Sequence, residues 1–249
     1  MPPRAVRGVA LFGFLAAVVG TGCGGSAEEL YERGQASFKH DKLEAAVSDL
    51  ESFVGKSCGP VGAHQHCRQA YLTLGHAHEK RADAARAWAA YDQALTFGPH
   101  AGDEAVQTDR DRMRETLTAA HQKETAQAPV IIRYRDEVTE EYSPRSVIVS
   151  LDFEPVASKD KDVAELHSPE YHRLWSGSVT AGGHVLVVEM AHDCAPGGGG
   201  GARCARSRVH RAWAFTAVAH TPSTIEIRAY DESGEGDDPA RPALEFKTR

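Results

Sequence analysis

The fold of the first half of the chain is decided by residues 71–99, which read YLTLGHAHEKRADAARAWAAYDQALTFGP. Gly75 and Ala87 are small residues, and each suits a position where two helices cross closely. Tyr91 has the size to fill the gap between those helices. Pro99 cannot continue a helix and therefore ends the second one. The stretch predicts a hairpin of two packed helices.

The spacing in this stretch resembles the tetratricopeptide (TPR) repeat, in which W-x2-L-G-x2-Y is followed by A-x3-F and P. Tyr71 stands where the repeat has tryptophan, and His78 departs from it at the later aromatic position. The matching residues are Leu74, Gly75, Ala87, Tyr91, Ala94 and Pro99. The resemblance implies stacked helix pairs with a concave face that suits peptide or protein segments.

A fainter copy of the same pattern precedes this stretch. Its matching residues are Leu30, Gly34, Ala46 and Leu50. The step from Gly34 to Gly75 is 41 residues, because the loop that carries Cys58 and Cys67 lengthens it.

The polar segment from Asp103 to about Gln127 predicts a capping helix. Two repeats and one helix are too few for a free-standing solenoid, so we expect the helical layer to dock on the rest of the chain.

After Ala128 the apolar pattern changes from helical spacing to the alternation of β-strands. In the first clear run, Val147, Val149, Leu151 and Phe153 are expected to face one way. Similar runs recur to the end of the chain and predict six or seven short strands. No helical segment separates these strands, so the sequence predicts an antiparallel β-sandwich.

Two short runs in this half carry a second resemblance. Residues 146–152 read SVIVSLD and residues 179–187 read VTAGGHVLV. They resemble the small immunoglobulin-like or PEGA-type β modules of bacterial envelope proteins. The predicted fold class is therefore α+β, with TPR-like helical hairpins followed by an antiparallel β-sandwich. The predicted boundaries are 27–127 for the helical domain with its capping helix and 128–249 for the β-sandwich.

The first residues of the chain predict its location. Arg4 and Arg7 precede an apolar run at 9–19, which is too short to span about 30 Å of hydrocarbon and has the layout of a secretory signal peptide. The alternatives are ordinary secretion with cleavage nearby and a retained single-span anchor. The run ends in residues 20–23, which read GTGC and resemble a bacterial lipoprotein signal. That resemblance implies a signal peptide over residues 1–22.

The lipoprotein resemblance also implies a lipid anchor. The thiol of Cys23 would carry the lipid, and residues 23–26 would form a lipidated linker. The residue after Cys23 is Gly24 rather than aspartate, which resembles the pattern of enterobacterial lipoproteins that are sent by default to the outer membrane. The expected location is the bacterial cell envelope, with the protein anchored to the outer membrane and facing the periplasm.

Net charge disfavours one class of function. The chain has 28 basic and 35 acidic side chains and a formal charge of −7. Loss of Arg4 and Arg7 with the signal peptide leaves 26 basic residues and a charge of −9. Because phosphate neutralisation needs a basic face, a nucleic-acid partner is not expected.

The cysteine count fits an oxidising compartment. Besides Cys23 the chain has an even set of four cysteines, for which sequence proximity favours the pairs Cys58–Cys67 and Cys194–Cys204. A competing interpretation is a zinc site built from the first pair and the nearby histidines. Those histidines are His64, His66, His76 and His78. No C-x-x-C or H-x(3–5)-H spacing organises them, so we predict disulfides and no metal.

Catalytic motifs are weak throughout the chain, and no enzyme is predicted. Residues 55–59 match G-x-S-x-G, but a nucleophile elbow must join a strand to a helix, and here a helix precedes it. An acidic turn resembles the start of a calcium loop, but the twelfth position is Pro242 rather than glutamate. The acidic turn contains Asp231, Ser233, Glu235 and Asp237. No cofactor is expected.

The predicted function is a non-catalytic envelope lipoprotein that acts as a protein-binding scaffold or adaptor. Its partner, an envelope protein or peptide segment, is expected at polar residues of the first helix of each repeat. These residues are Gln35, Lys39, His76 and Lys80. The alternative is a carbohydrate- or cell-wall-binding lipoprotein whose β domain stacks a glycan on Trp175, Trp213 and Tyr171. A hydrolase, the third class, needs a cleft in which a serine or an acid meets a histidine.

Overall fold

The structure is a computed structural model that describes residues 26–59, 65–139, 142–160, 163–194, 206–232 and 241–249. In these ranges the chain is mixed α+β, with five α-helices followed by two four-stranded sheets that are mainly antiparallel. The helices are α1 (Ala27–Lys39), α2 (Leu43–Ser57), α3 (Cys67–Lys80), α4 (Ala84–Leu95) and α5 (Asp103–Lys123). Within the described ranges, no helix combines the length and the apolar character that a membrane crossing requires.

The four helices α1 to α4 form two similar hairpins. A Cβ built on Gly34 would lie 2.6 Å from the side chain of Leu50, and one on Gly75 would lie 2.4 Å from the ring of Tyr91. Leu50 and Tyr91, like the two glycines, are 41 positions apart. The turns repeat as well, since Asp41 and Ala82 both have positive φ angles, 59° and 57°. The same close crossing and the same turn therefore occur twice.

Local sequence explains where α1 and α4 begin. Ser26 accepts a hydrogen bond from the backbone of Glu29, and the Glu29 side chain accepts one from the backbone of Ser26, which forms a capping box at α1. Asp83 caps α4 by accepting a hydrogen bond from the backbone of Arg86. These caps satisfy backbone donors that the first turn of a helix leaves unpaired.

The sheets are built from eight strands in the described ranges. Their bounds are β1 (Gln127–Glu137), β2 (Tyr142–Leu151), β3 (Glu154–Lys159), β4 (His172–Thr180), β5 (Gly182–Cys194), β6 (Ser207–Ala217), β7 (Ser223–Glu232) and β8 (Arg241–Thr248). One sheet has the order β4-β1-β7-β8 and the other has the order β3-β2-β5-β6. Both sheets contribute to one hydrophobic core, to which β1, β5 and β7 bring Ile132, Leu186 and Ile225.

One strand pair corrects the prediction of a wholly antiparallel arrangement. β1 pairs with β4 in antiparallel orientation on one side and with β7 in parallel orientation on the other. β1 and β7 are separated by all of the strands β2 to β6, so no tight turn joins them and the chain can return in the same direction. Alternation of apolar residues does not reveal this, because it is the same in both orientations.

The predicted orientation of Phe153 is also wrong. It does not continue the inward face of β2, because Asp152 and Phe153 form the two-residue turn between β2 and β3. Both have positive φ angles, 48° and 75°, as a type I′ hairpin turn requires. The ring of Phe153 instead packs against Trp88 of α4, with 5.0 Å between ring centroids.

The helices dock on the outer face of β5 and β6, as the low repeat count predicts. Val185 and Val187 of β5 share a hydrophobic cluster with Trp88 of α4 and with Met113 and Leu117 of α5. The alternate residues of β5 point into the core between the sheets. β5 is therefore buried on both faces, which matches its continuous apolar run.

Candidate functional site

The predicted partner-binding residues of α1 lie beside α3. The Gln35 side chain is half-buried and donates a 2.9 Å hydrogen bond to the hydroxyl of Thr73, which links the two helices. Lys39, one turn further along α1, is exposed. The first of these residues therefore helps to fix the helix pair, and the second faces solvent.

The corresponding residues of α3 are exposed but engaged within the chain. Nδ1 of His76 lies 2.8 Å from the hydroxyl of Tyr91. Lys80 donates a 2.7 Å hydrogen bond to Asp41, and its ammonium lies 5.2 Å from the ring centroid of Phe38. The structure thus brings residues of α1 and α3 onto one surface. We call the exposed side of α1 and α3 that includes Lys39, His76 and Lys80 the α1–α3 face.

A charged network extends this surface to α5. The hydroxyl of Tyr91 donates to Glu79 at 2.9 Å, and the guanidinium of Arg112 donates to both oxygens of the same carboxylate. Arg112 also donates to Asp109 at 2.8 Å. The hydrogen bonds from Arg112 lower the pKa of Glu79 below its ordinary value. The network keeps the carboxylate ionised and fixes α5 against α3.

A second polar cluster joins the helices to the sheets. Asp92 of α4 is buried, and its two oxygens contact His210 of β6 at 2.6 Å and Arg110 of α5 at 3.2 Å. The hydrogen bond to Asp92 raises the pKa of His210. This cluster is a structural contact between the two halves of the chain.

The outer face of β2, β5 and β6 carries a cleft of about 750 Å³ beyond this cluster. Its lining includes Arg145, Arg206 and Arg208 together with Glu189. Arg206 donates a 2.6 Å hydrogen bond to Asp193, and Arg145 lies 3.6 Å from the same carboxylate. Acidic and basic side chains thus meet here, so the cleft does not have the single charge sign of an anion or nucleic-acid site.

An acid also meets a histidine in the core between the sheets, which is the arrangement that a hydrolase would need. Asp136 accepts hydrogen bonds from the hydroxyl of Tyr134 at 3.1 Å and from the backbone of Val138 at 3.0 Å, and it lies 3.3 Å from Nε2 of His192. The side chains of Asp136 and His192 are fully buried. Burial raises the pKa of Tyr134 well above its ordinary value. Because the side chains of Asp136 and His192 are fully buried, their contact holds β1 against β5.

A third histidine cluster lies where α5, the β2–β3 turn and β5 meet. His121 of α5, Asp152 of the turn and His184 of β5 each place one potential ligand atom within 4.8 Å of the other two. Sequence reasoning missed this cluster, since the residues are more than 30 positions apart and belong to three elements. The one sequence signal is His184 in the run VTAGGHVLV, which supports only the resemblance to β modules.

The structure joins Cys58 and Cys67 by a disulfide, with 5.5 Å between the Cα atoms. This is the pair that sequence proximity favours, and neither sulfur remains a thiolate that could bind zinc. Cys194 is also disulfide-bonded. Cys204 and Cys23 lie outside the described residues, as does His64 of the competing zinc interpretation.

Two other sequence motifs have residues in the part of the chain that the structure describes. Ser57 of the G-x-S-x-G run is the last residue of α2, so no strand precedes it. Asp231 of the acidic turn accepts a 2.7 Å hydrogen bond from the backbone of Thr139. The other acidic-turn residues Ser233, Glu235 and Asp237 lie outside the described residues.

The aromatic residues of the carbohydrate-binding alternative do not form a row on one sheet face. Trp175 lies on β4 in one sheet, and Trp213 lies on β6 in the other, where it stacks between Phe215 and Phe246. Both tryptophans pack against the core. Among the described large apolar side chains, the strongly exposed one is Val218, not an aromatic residue.

Comparisons of the chain with protein-family models, with curated proteins and with solved structures found no match. The case for a function therefore depends on the residues themselves.

Proposed function

We propose that this protein is a non-catalytic, lipid-anchored lipoprotein of the bacterial cell envelope that acts as a scaffold for a polypeptide partner. In this proposal Cys23 carries the lipid at the outer membrane, and the protein faces the periplasm. The α1–α3 face holds an extended segment of an envelope protein.

Two observations support TPR-like hairpins as the finer description of the helical half. Gly34 and Gly75 allow the same close helix crossing 41 residues apart, and Asp41 and Ala82 repeat the same turn conformation. For the second half, a β-sandwich of immunoglobulin-like or PEGA-like type is supported by two four-stranded sheets that share one core. The parallel pairing of β1 with β7 is a feature that this proposal must accommodate.

The functional proposal depends on which side of the helical layer the sheets cover and which side they leave exposed. The sheets contact the helical layer mainly through α4, and apolar residues of α4 and α5 share a buried cluster with residues of β5 and β6. α1 packs on α2 and α3, and α3 packs on α2 and α4. The exposed side of α1 and α3 carries Lys39, His76 and Lys80. Stacked helix pairs bind polypeptide segments on such an open side.

The proposal is tested by photo-crosslinking in intact envelopes. A photoreactive phenylalanine analogue at Lys39 is expected to crosslink a specific envelope protein. The same analogue at Lys159, an exposed residue of β3, is the matched control and is expected to give no such product. Equal crosslinking from both positions, or none from Lys39, would remove the support for the α1–α3 face.

Charge reversal provides the second measurement. The double change Lys39→Glu and Lys80→Glu is expected to weaken capture of the crosslinked partner. The control change Lys159→Glu and Lys247→Glu alters net charge equally on exposed residues of the β half and is expected to leave capture unchanged. Loss of capture only in the control pair would move the binding surface to the β half.

A further inference from the structure

We infer that His121, Asp152 and His184 form a binding site for one divalent transition-metal ion, best matched to Zn²⁺, at the junction between the helices and the sheets. The three residues come from the last turn of α5, from the β2–β3 turn and from the start of β5. The inference depends on how every other polar atom of these side chains is already used.

Backbone carbonyls fix which nitrogen of each imidazole carries a hydrogen. Nε2 of His121 lies 2.8 Å from the carbonyl oxygen of Gly183, and Nε2 of His184 lies 2.7 Å from that of Thr180. A carbonyl oxygen can only accept a hydrogen bond, so both Nε2 atoms must donate. In a neutral imidazole this leaves Nδ1 with a free lone pair. Metal-binding histidines are oriented in the same way, by a hydrogen bond from the nitrogen that does not bind the metal.

Asp152 is oriented in a similar way. Its Oδ1 accepts a 3.0 Å hydrogen bond from the backbone of Val185, and the backbone of Asp152 donates to the carbonyl of Val185 at 2.8 Å. Its Oδ2 faces Nδ1 of His184 at 2.6 Å and Nδ1 of His121 at 3.8 Å. The 2.6 Å contact is within hydrogen-bond distance, so a proton on Nδ1 of His184 would satisfy this pair. When both rings are neutral, three electron-pair donors instead converge on one point and repel one another. A cation between them removes this repulsion, and it satisfies all three atoms at once.

Asp152 and His184 are held close to these positions before any ion binds. Asp152 is the first residue of a two-residue turn whose left-handed backbone is fixed by the hairpin. The His184 ring is 1 % exposed and lies between the rings of His121 and Phe215, at centroid distances of 4.5 Å and 5.3 Å. To complete a coordination shell, the His121 ring must rotate towards Oδ2 of Asp152, and the His184–Asp152 pair must open from 2.6 Å to about 3.3 Å, the separation of two ligand atoms on a tetrahedral Zn²⁺ ion.

The ligand set selects the class of metal. Two imidazole nitrogens and one carboxylate oxygen suit Zn²⁺ and its transition-metal neighbours, whereas Ca²⁺ and Mg²⁺ prefer oxygen ligands. The side chains of His121 and Asp152 are 18 % and 21 % exposed, which leaves room for water as a fourth ligand. Because the ligands come from both halves of the chain, the ion would fasten α5 to the sheets and stabilise their docking.

The test uses the full chain purified without an affinity tag, stripped with a chelator and titrated with Zn²⁺ under calorimetry. We expect one Zn²⁺ per chain and a rise in Tm of about 5 °C when free Zn²⁺ is about 100 times the Kd. Co²⁺ in place of Zn²⁺ is expected to give the visible absorption of a tetrahedral nitrogen and oxygen site. Failure of the wild-type chain to bind either ion would overturn the inference.

Two variants separate this site from other histidines. Asp152→Asn keeps an acceptor for Val185 and tolerates the left-handed turn, but it loses the anionic ligand. His121→Gln changes a partly exposed helix residue and leaves the core intact. Each is expected to raise the Kd for Zn²⁺ at least tenfold, with an unchanged circular dichroism spectrum. His40→Gln, at an exposed histidine after α1, is the control and should bind as the wild type does.

Two results would contradict the proposed metal site. Equal Zn²⁺ binding by wild type, Asp152→Asn and His121→Gln would place the ion elsewhere and overturn the inference. The same holds if nitrogen NMR of the Zn²⁺-treated wild type shows His184 doubly protonated, since a proton would then occupy the position given to the metal.

Discussion

Nε2 of His210 on β6 lies 2.6 Å from a carboxylate oxygen of Asp92 on α4, although the two residues are 118 positions apart in the chain. Asp92 is buried and also contacts Arg110 of α5, while Nδ1 of His210 lies 3.7 Å from Glu189 of β5. A histidine that is one-third exposed thus connects two helices and two strands through acidic partners. Its protonation affects how firmly the helices hold to the sheets.

This contact predicts a pH-dependent stability. Because Asp92 raises the folded-state pKa of His210 above the unfolded value of about 6.5, the protonated histidine stabilises the fold. The contribution is fully present below about pH 6.5 and is lost as pH rises through the folded pKa. Urea denaturation should show a larger stability difference between wild type and His210→Gln at pH 5.5 than at pH 9. A difference that is the same at both pH values would contradict this prediction.

The close helix crossing at Gly75 predicts opposite effects for two glycine substitutions. Gly75→Ala places a Cβ 2.4 Å from the ring of Tyr91, which should lower the free energy of unfolding by about 1–3 kcal/mol. Gly55→Ala meets no atom within 4 Å and lies in α2, so it should raise that free energy by about 0.5 kcal/mol. Chemical denaturation measures both. If Gly75→Ala were as stable as the wild type, the packing of α3 on α4 would differ from the one described.

The turn at Phe153 predicts an unusual order of stabilities. Phe153→Ala and Phe153→Gly both lose the contact with Trp88, but only glycine relieves the positive φ angle of 75°. The glycine variant should therefore be more stable than the alanine variant by about 1 kcal/mol. Phe246 of β8 is the control position, where alanine should be the more stable of the two because glycine weakens strands. Thermal denaturation of the four variants decides whether the order reverses at Phe153.

The disulfide between Cys58 and Cys67 predicts a measurable loss on removal. The chain-entropy model gives a loop of this length about 3 kcal/mol, so Cys58→Ala with Cys67→Ala should be destabilised by roughly that amount. Non-reducing peptide mapping of the wild type should recover the linked peptides. Recovery of both residues as free thiols would show that the bridge does not form.

The proposed anchor predicts that lipid labelling depends on one residue. Cys23→Ser should abolish incorporation of an alkyne fatty acid in growing cells, because no thiol remains at the lipoprotein signal. The variant that lacks Cys58 and Cys67 should label as the wild type does. Undiminished label on Cys23→Ser would exclude lipidation at this residue.

Sequence reasoning was most successful where one residue type reports directly on packing. Gly75 and Tyr91 predicted a close helix crossing, and the structure places a glycine and an aromatic ring in contact there. The change of periodicity after Ala128 also fits the structure, in which α5 ends at Lys123 and β1 begins at Gln127. In both cases the signal is local and arises from size or from alternation.

Features that depend on distant partners could not be predicted in the same way. Phe153 alternates correctly with Leu151, yet the turn removes it from the strand and its ring packs on a helix instead. β3 was missed because residues 154–159 do not alternate clearly between apolar and polar. The cluster of His121, Asp152 and His184 has no spacing motif, since it forms only when the helices dock on the sheets.

The position of β1 between β4 and β7 means that β1 precedes one of its two partner strands by a long stretch of chain. A growing chain completes β1 at Glu137, but the strand that covers its second edge begins only at Ser223. Throughout that interval the apolar residues Val130 and Ile132 have no final partner on that side. Contacts so distant along the chain form slowly, and unpaired strand edges attract other chains. The edge of β1 therefore stays open to other chains until β7 pairs with it, whereas the helix pairs that precede β1 can form from local contacts alone.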